Sequence, residues 1–263
     1  MLYKNVVAGL GEIGHPILQL FAKTAPTIGY DINKKLVDHN AIKKYEDYPT
    51  MFLHTCVPFT ENFENNIQAL YEKFKPKIIV IHSTIRPYTT QRLQHLLQIP
   101  IIYSATRGVH KRMLYDLKRY TKFFAVQSDA PKSKWAAAEY SKLLKKCGVK
   151  TKQMSNPVTL ELAKIVVDTS YYGWLINYAQ LSNMIAIQHK VDYDEMWSFS
   201  DEIHKFLGNR PKMFPGFIGG HCVIPNLDLM HNQTLNLIRE INTKYAKKVK
   251  NSKSIAKKYQ KSK

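Results

Sequence analysis

Cysteine is scarce and scattered in this sequence. Only three cysteines occur in 263 residues, Cys56, Cys147 and Cys222. The odd number and wide spacing exclude a disulfide framework of the kind found in small secreted proteins and are typical of a reducing compartment. No CxxC pair occurs, so we expect no zinc and no other metal site.

Long hydrophobic runs are also lacking. No stretch of about 18 apolar residues occurs, and the start of the chain has no basic leader with a cleavage site. We therefore expect a cytoplasmic protein without a membrane contact. The apolar fraction of 44% and the charged fraction of 22% exclude a disordered or collagen-like chain.

Acidic residues are few beside the basic ones, 20 against 39, which gives a formal net charge of +19. Only seven of the 39 basic residues are arginines, although arginine is favoured for bidentate recognition of phosphate and guanine. Nine lysines lie between Lys244 and Lys263 without an acidic residue. Because a solvated surface accounts for such a charge, we expect no nucleic-acid partner, and an anionic partner stays open only for the tail.

Short apolar runs alternate with helical periodicity over the first part of the chain. Strands are predicted at 2–8, 27–30, 51–57, 78–82, 101–103 and 123–126. Helices are predicted between them, at 62–74, 89–97 and 132–146. This alternation predicts an α/β fold with a doubly wound, mainly parallel sheet that is covered on both faces.

The pattern changes near residue 154, after which only helical segments are predicted. They lie at 157–190, 193–207 and 227–247, with a loop rich in glycine and proline at 208–225. We therefore predict three parts: a doubly wound domain at 1–153, an all-helical domain at 154–247 and a flexible lysine-rich tail at 248–263.

The strongest local motif is Gly-Leu-Gly-Glu-Ile-Gly at 9–14, between the first strand and the first helix. Its glycines permit a tight turn, the close approach of a pyrophosphate and close packing of helix on sheet. The helix N-terminus adds N–H donors and a positive dipole. The second strand ends at Asp31, 20 residues after Gly11, where a carboxylate accepts ribose hydroxyls and repels a 2′-phosphate. The motif predicts a Rossmann-type domain that binds NAD in preference to NADP.

A second motif is the glycine-rich segment 216–225, which presents Cys222 among backbone N–H groups. Such a loop can lower the pKa of a thiol and hold an oxyanion. By residue chemistry alone, a single loop cysteine is more often inert than nucleophilic. The inert and the nucleophilic interpretation therefore both stay open at this point.

Five segments together resemble the UDP-glucose/GDP-mannose dehydrogenase family, the nucleotide-sugar dehydrogenases. They are the glycine turn with Gly29–Asn33, Thr55–Pro58, Ser83-Thr84 with Pro87–Thr90, Glu161–Lys164 and Gly219–Cys222. They stand in the family's order and cover about residues 1–230. The family's third domain, which grips the nucleotide base, has no counterpart in these 263 residues.

The resemblance implies a four-electron oxidation of a sugar primary alcohol to an acid, with NAD as cofactor. Cys222 would attack the intermediate aldehyde and form a thiohemiacetal and then a thioester. Lys164 would stabilise an alkoxide, and Thr84 would position a water beside the nicotinamide. The NAD-binding residues would be Gly9, Gly11, Glu12, Ile13, Gly14, Asp31, Lys35, Val57 and Thr84.

The sequence departs from the family at four site positions. Thr106 and His110 stand where the family has two glutamates, so the expected base for thioester hydrolysis is missing. Asp168 replaces an asparagine and Asn226 replaces an aspartate. Asp168 would then take over as general base, or the site is tuned for another substrate, or it has lost activity. His110 is a candidate titrating base or a solvated surface histidine.

Three functions remain open from the sequence. The leading hypothesis is an NAD-dependent dehydrogenase of a small-molecule substrate, with a nucleotide sugar as the favoured class. The second is a two-electron hydroxyacid or alcohol dehydrogenase, similar to the β-hydroxyacid dehydrogenases, which would not need Cys222. The third is a non-catalytic NAD-binding protein. Apolar side chains on several faces of the 157–190 helix, which forms the dimer core in the resembling family, predict a homodimer.

Overall fold

The computed structural model describes residues 2–207, 215–219, 223–229 and 233–250. The chain divides into two compact units, Met1–Lys164 and Ile165–Lys263. The first unit is an α/β layer structure, and every regular element described in the second is helical. The predicted fold class is therefore confirmed.

One sheet forms the centre of the first unit, with seven strands in the described residues. They are β1 Lys4–Ala8, β2 Thr27–Tyr30, β3 Thr50–Thr55, β4 Ile78–Ile81, β5 Ile101–Tyr103, β6 Lys122–Val126 and β7 Thr151–Gln153. The spatial order is β2-β1-β3-β4-β5-β6-β7, and only β5 and β6 pair antiparallel. Because β2 and β3 lie on opposite sides of β1, the winding reverses at β1, and ligands bind beside such a reversal at the carboxyl ends of the strands.

Helices cover both faces of this sheet. They are α1 Gly14–Ala22, α2 His39–Lys44, α3 Phe63–Phe74, α4 Thr89–Leu97, α5 Met113–Arg119, α6 Ser133–Lys146 and α7 Pro157–Leu162. Successive side chains of a strand point to opposite faces. In β4, Ile78 and Val80 join the core under α1, α5 and α6, whereas Ile79 and Ile81 join the core under α3, α4 and α7. Two buried cores of this kind explain why β1 to β6 are buried at nearly every position and why β1 and β3 to β6 contain apolar residues on both faces.

One short strand and two short α-helices of the first unit were not predicted from the sequence. Strand β7 is Thr-Lys-Gln, a partly exposed strand at the edge of the sheet, so it has no apolar run to reveal it. Helix α2 buries no side chain, and its start depends on Asp38, whose carboxylate accepts the N–H groups of Asn40 and Ala41. Helix α5 is only seven residues long.

The division between the units falls after Lys164, later than the boundary predicted at residue 153. Helix α7 packs against α4, β5 and β6, and Leu160 lies in the core of the first unit. The first turns of the long helix therefore belong to the sheet domain, although their sequence is continuous with the helical part.

The long helix predicted at 157–190 is observed as helix from Pro157 to His189. It is not uniform, because a π-helical segment, Ala163–Ser170, lies between α7 and α8 Tyr171–His189. Single π-helical turns inside α-helices occur frequently at functional sites.

The remaining helices of the second unit differ from the predicted bounds. They are α9 Tyr193–Ser198, α10 Asp201–Leu207, α11 Val223–Leu227 and α12 Gln233–Lys250. The single helix predicted at 193–207 is thus interrupted at 199–200, α11 begins inside the predicted loop at 208–225, and α12 continues three residues into the predicted tail. A small apolar core joins α8, α11 and α12, because Gly173 lets Val223 and Ile238 approach the backbone of α8.

Candidate functional site

The turn from β1 into α1 has the geometry that the glycine motif predicts. Gly9 has a φ of +87°, a left-handed conformation that favours glycine. A Cβ on Gly14 would lie 1.6 Å from the carbonyl oxygen of Gly9, so only glycine permits this contact between turn and helix. A Cβ on Gly11 would meet no atom within 4 Å. The space beside Gly11 is therefore open to a ligand.

Asp31 lies at the end of β2, next to this turn. Its Oδ2 accepts the N–H of Leu10 at 2.6 Å, and its Oδ1 accepts the N–H of Asn33 at 2.8 Å. An ionised carboxylate has about four lone-pair positions, so these bonds orient the group and leave capacity for ribose hydroxyls. Lys35 follows in an exposed 3₁₀ turn whose start is held by Asn33.

Val57 and Thr84 follow β3 and β4, so they lie at the same edge of the sheet as the glycine turn. The Val57 Cγ1 atom would be 3.1 Å from a Cβ on Gly9, and the Val57 carbonyl accepts the hydroxyl of Ser83. Thr84 is half-buried in the loop after β4. The ends of β1, β3 and β4 thus bring three of the predicted cofactor segments together.

These residues fit a dinucleotide. Gly11 leaves room for a pyrophosphate, the N-terminus of α1 has no acidic residue in its first turn, and the Asp31 carboxylate is fixed beside the turn by its hydrogen bond to Leu10. The two remaining members of the motif, Glu12 and Ile13, would offer their backbone N–H groups to the pyrophosphate.

His110 lies at this turn as well. Its Nδ1 atom is 2.7 Å from Oε2 of Glu12, although the two residues are far apart in sequence. His110 begins a 3₁₀ turn, His110–Arg112, in the segment between β5 and α5. The structure therefore places this candidate base beside the glycine turn.

A buried lysine that was missed from the sequence also lies at this edge. Lys122 begins β6, and because β6 runs antiparallel to β5, its first residue faces the segment that follows β5. The Lys122 ammonium donates to the carbonyl of Ala105 at 3.1 Å and to the hydroxyl of Thr106 at 2.9 Å. Its side chain has no acidic ion-pair partner among the described residues, and burial, with a smaller effect of Lys164, lowers its pKa to about 7.

Two buried histidines lie in the same domain. His82 Nδ1 is 3.2 Å from the carbonyl of Ser104, which can only accept, so His82 Nδ1 carries the proton. His82 Nε2 then accepts from His54 Nδ1 at 3.1 Å. The remaining His54 Nε2 has no hydrogen-bond partner among the described residues. Burial, reinforced by Lys122, lowers the pKa of His54 to about 3 and that of His82 well below its usual value.

Glu161 of the Glu161–Lys164 segment has a structural role. Its carboxylate is buried and accepts the N–H groups of Tyr88 and Thr90 and the hydroxyl of Thr90, so it holds the start of α4. Burial raises its pKa.

Cys56 is unsuited to nucleophilic chemistry, because burial raises the pKa of its thiol to about 12.

The remaining predicted catalytic residues fall in different parts of the chain. Lys164 and Asp168 both lie in the π-helical segment, and Asn226 lies half-buried in α11 of the second unit. Cys222 lies outside the described residues, as do Gly220 and His221. Their predicted roles stay predictions.

A buried network of hydrogen bonds holds residues 215–218 of the loop predicted at 208–225. Gln180 of α8 donates to the carbonyl of Gly216 at 2.6 Å, and Asn242 of α12 exchanges hydrogen bonds with the N–H and carbonyl of Ile218 at 2.9 and 3.0 Å. Tyr245 donates to the carbonyl of Pro215 at 2.6 Å. The sequence gives one signal for this network, namely the amide side chains of Gln180 and Asn242 at helix positions where apolar residues are expected.

In the described part of the chain, no helix is long and apolar enough to cross a bilayer. The same residues hold no group of three metal-ligating side chains.

The sheet order, the glycine turn and the helical second unit define a Rossmann-type α/β domain followed by a helical domain. Solved structures of UDP-sugar dehydrogenases share this fold. That of UDP-D-ManNAc dehydrogenase from Pyrococcus horikoshii matches with a TM-score of 0.75 and 19% identity, over 92% of this chain and 68% of the other. That of UDP-N-acetyl-mannosamine dehydrogenase from Staphylococcus aureus matches with a TM-score of 0.70 and 21% identity, over 97% and 71%.

A shorter relative in fold is the 3-hydroxyisobutyrate dehydrogenase of Mycobacterium tuberculosis, with a TM-score of 0.65 and 14% identity over 94% of both chains. No protein-family model and no curated protein matches the sequence. The resemblance to nucleotide-sugar dehydrogenases is thus supported at the level of fold, and the chain covers about 70% of the length of these two structures.

Proposed function

We propose that the protein is an NAD-dependent oxidoreductase that oxidises a primary alcohol of a sugar or nucleotide sugar. The observation that carries the proposal is the glycine turn, with an open face at Gly11 and the Asp31 carboxylate bonded to Leu10 beside it. The fold shared with UDP-sugar dehydrogenases supports the substrate class.

In this proposal each candidate catalytic residue has one role. The nicotinamide ring of bound NAD would accept the hydride. Lys164 stabilises the substrate alkoxide with its ammonium, and Thr84 positions water. The Cys222 thiolate would add to the aldehyde to form a thiohemiacetal, and loss of a second hydride to a second NAD would give the thioester. Water would then cleave the thioester to the acid and release the thiol. Asp168 is the first candidate for the base that activates this water, because Thr106 and His110 replace the carboxylates expected for that task.

The function is tested by counting NADH per substrate with a panel of UDP- and GDP-sugars. A four-electron oxidation yields a second NADH for each substrate, and Cys222→Ala should block the acid product, with a loss of roughly 10²-fold or more. Cys147→Ala is the matched control, because Cys147 is buried in the core of the first unit and hydrogen-bonded to Thr24. Full acid formation by Cys222→Ala would contradict the covalent mechanism.

A two-electron hydroxyacid dehydrogenase is the second candidate. It is favoured by one observation, namely that the 3-hydroxyisobutyrate dehydrogenase fold matches over 94% of both chains. One NADH per substrate with a small hydroxyacid, unaffected by Cys222→Ala, would select this candidate. Binding of NAD without turnover of either class would favour a non-catalytic role.

We expect a preference for NAD over NADP of about tenfold or more, because the Asp31 carboxylate faces the ribose position and repels a 2′-phosphate. Titration calorimetry with both dinucleotides measures the preference. Asp31→Asn should reduce it, since the amide keeps the size of the side chain but removes its charge. Equal affinities of the wild type for NAD and NADP would contradict the assignment.

We also propose a homodimer formed through α8. Five large side chains of this helix are more than a third exposed within the chain: Tyr171, Tyr172, Tyr178, Leu181 and Ile185. An apolar patch of this extent on one helix is typical of an interface. Light scattering at micromolar concentration should give twice the mass of the chain, and Tyr178→Glu should lower it. A monomeric wild type would refute the proposal.

A further inference from the structure

The contact between Glu12 and His110 places a carboxylate in the turn that would bind a pyrophosphate. Glu12 stands two residues before the start of α1, and 58% of its side chain is exposed. A carboxylate there is favoured by the helix dipole when the site is empty of other anions. The carboxylate repels a pyrophosphate, because it belongs to Glu12, the same residue whose backbone N–H would bind the phosphates.

His110 is held in place independently of Glu12. The buried carboxylate of Asp116 accepts the N–H of Val109 at 2.9 Å and the Nε of Arg112 at 3.1 Å, on either side of His110. Asp116 belongs to α5, which packs against α1. The backbone of the 3₁₀ turn is therefore fixed beside the glycine turn, and the imidazole stays close when its partner changes.

We propose that His110 is an exchangeable phosphate ligand. Glu12 engages the imidazole in the free protein, and in the dinucleotide complex the pyrophosphate takes the place of the Glu12 carboxylate. The inference rests on the proposed dinucleotide binding and adds a specific contact to it. It also explains why an acidic residue is compatible with this turn: its carboxylate is engaged by a neighbour that can bind either anion.

The experiment is titration calorimetry with two ligands, NAD and ADP-ribose, which has the pyrophosphate but no nicotinamide. Glu12→Gln removes the competing charge and should tighten the binding of both ligands, by roughly threefold to fivefold for a partly exposed charge. His110→Gln removes the phosphate ligand and should weaken the binding of both by a similar factor. Thermal melting of each variant checks that the fold is retained.

The matched control is His95→Gln. His95 also lies near a carboxylate, at 3.7 Å from Asp129, but it belongs to α4 on the opposite face of the sheet. Its replacement should leave both affinities unchanged.

Two results would overturn this inference while leaving dinucleotide binding intact. The first is weaker binding in Glu12→Gln, which would mean that Glu12 assists the phosphates. The second is an effect of His110→Gln on NAD but not on ADP-ribose, which would place His110 at the nicotinamide. A wild type that binds neither ligand would overturn the proposed function and this inference together.

Discussion

Replacement of Gly14 by alanine is expected to cost the first unit on the order of 4 kcal/mol or more of its free energy of unfolding. The new Cβ would lie 1.6 Å from the carbonyl oxygen and 2.8 Å from the carbonyl carbon of Gly9. Both are backbone atoms, so α1 would have to move away from the end of β1. That movement would open the core in which Ile17 and Phe21 are buried.

Gly11→Ala is the matched control for this prediction, because its Cβ would meet no atom of the protein within 4 Å. It should keep the stability of the wild type within about 1 kcal/mol but weaken NAD binding, since the methyl group occupies the space of the pyrophosphate. Urea unfolding followed by circular dichroism, together with NAD titration, measures both effects. A Gly14→Ala variant as stable as the wild type would show that the observed contact is not the constraint.

The second large effect is a loss of stability in acid. His54 and His82 are buried and neutral in the folded protein, and burial lowers their pKa values, that of His54 to about 3. In the unfolded chain both return to about 6.5. A proton on His54 would need an acceptor at Nε2, where the described residues provide none. Protonation therefore favours the unfolded chain.

The sign follows from the lowered pKa of a base. The stability contributed by the neutral histidines is complete above pH 6.5 and decreases as the pH falls from 6.5 toward 3. While the unfolded chain binds one more proton per histidine, the free energy of unfolding falls by roughly 1.4 kcal/mol per pH unit for each residue. Acid unfolding is thus expected well above the pKa values of the folded state.

Acid titration of ellipticity, with urea melts at several pH values, measures this dependence. His54→Phe keeps a ring stacked on Phe21, which lies 4.4 Å from His54 between ring centroids, and removes one titrating group. The variant should lose about half of the dependence. His95→Gln, at an exposed position, should retain all of it. If His54→Phe unfolds in acid along the same curve as the wild type, the buried pair does not control acid stability.

Much of the fold and part of the candidate site could be predicted from short stretches of sequence. The glycine turn and Asp31 are recognisable because a tight turn, a helix N-terminus and a strand end are local features whose residues are close in sequence. The strands β1 to β6 are recognisable because burial on both faces selects a short run rich in apolar residues in each of them. The edge strand β7 lacks that signal, and it was missed.

The tertiary structure alone decided which distant side chains meet. His110 pairs with Glu12, Lys122 faces Thr106, and Glu161 holds the start of α4. None of these pairings follows from spacing along the chain, because each depends on the order of the strands, and that of Lys122 depends also on the antiparallel direction of β6. The sequence by itself therefore determined the fold class and the dinucleotide motif, whose physics is local. The charges around that motif and the buried lysine were decided by strand order, since only the folded sheet brings their partners within hydrogen-bonding distance.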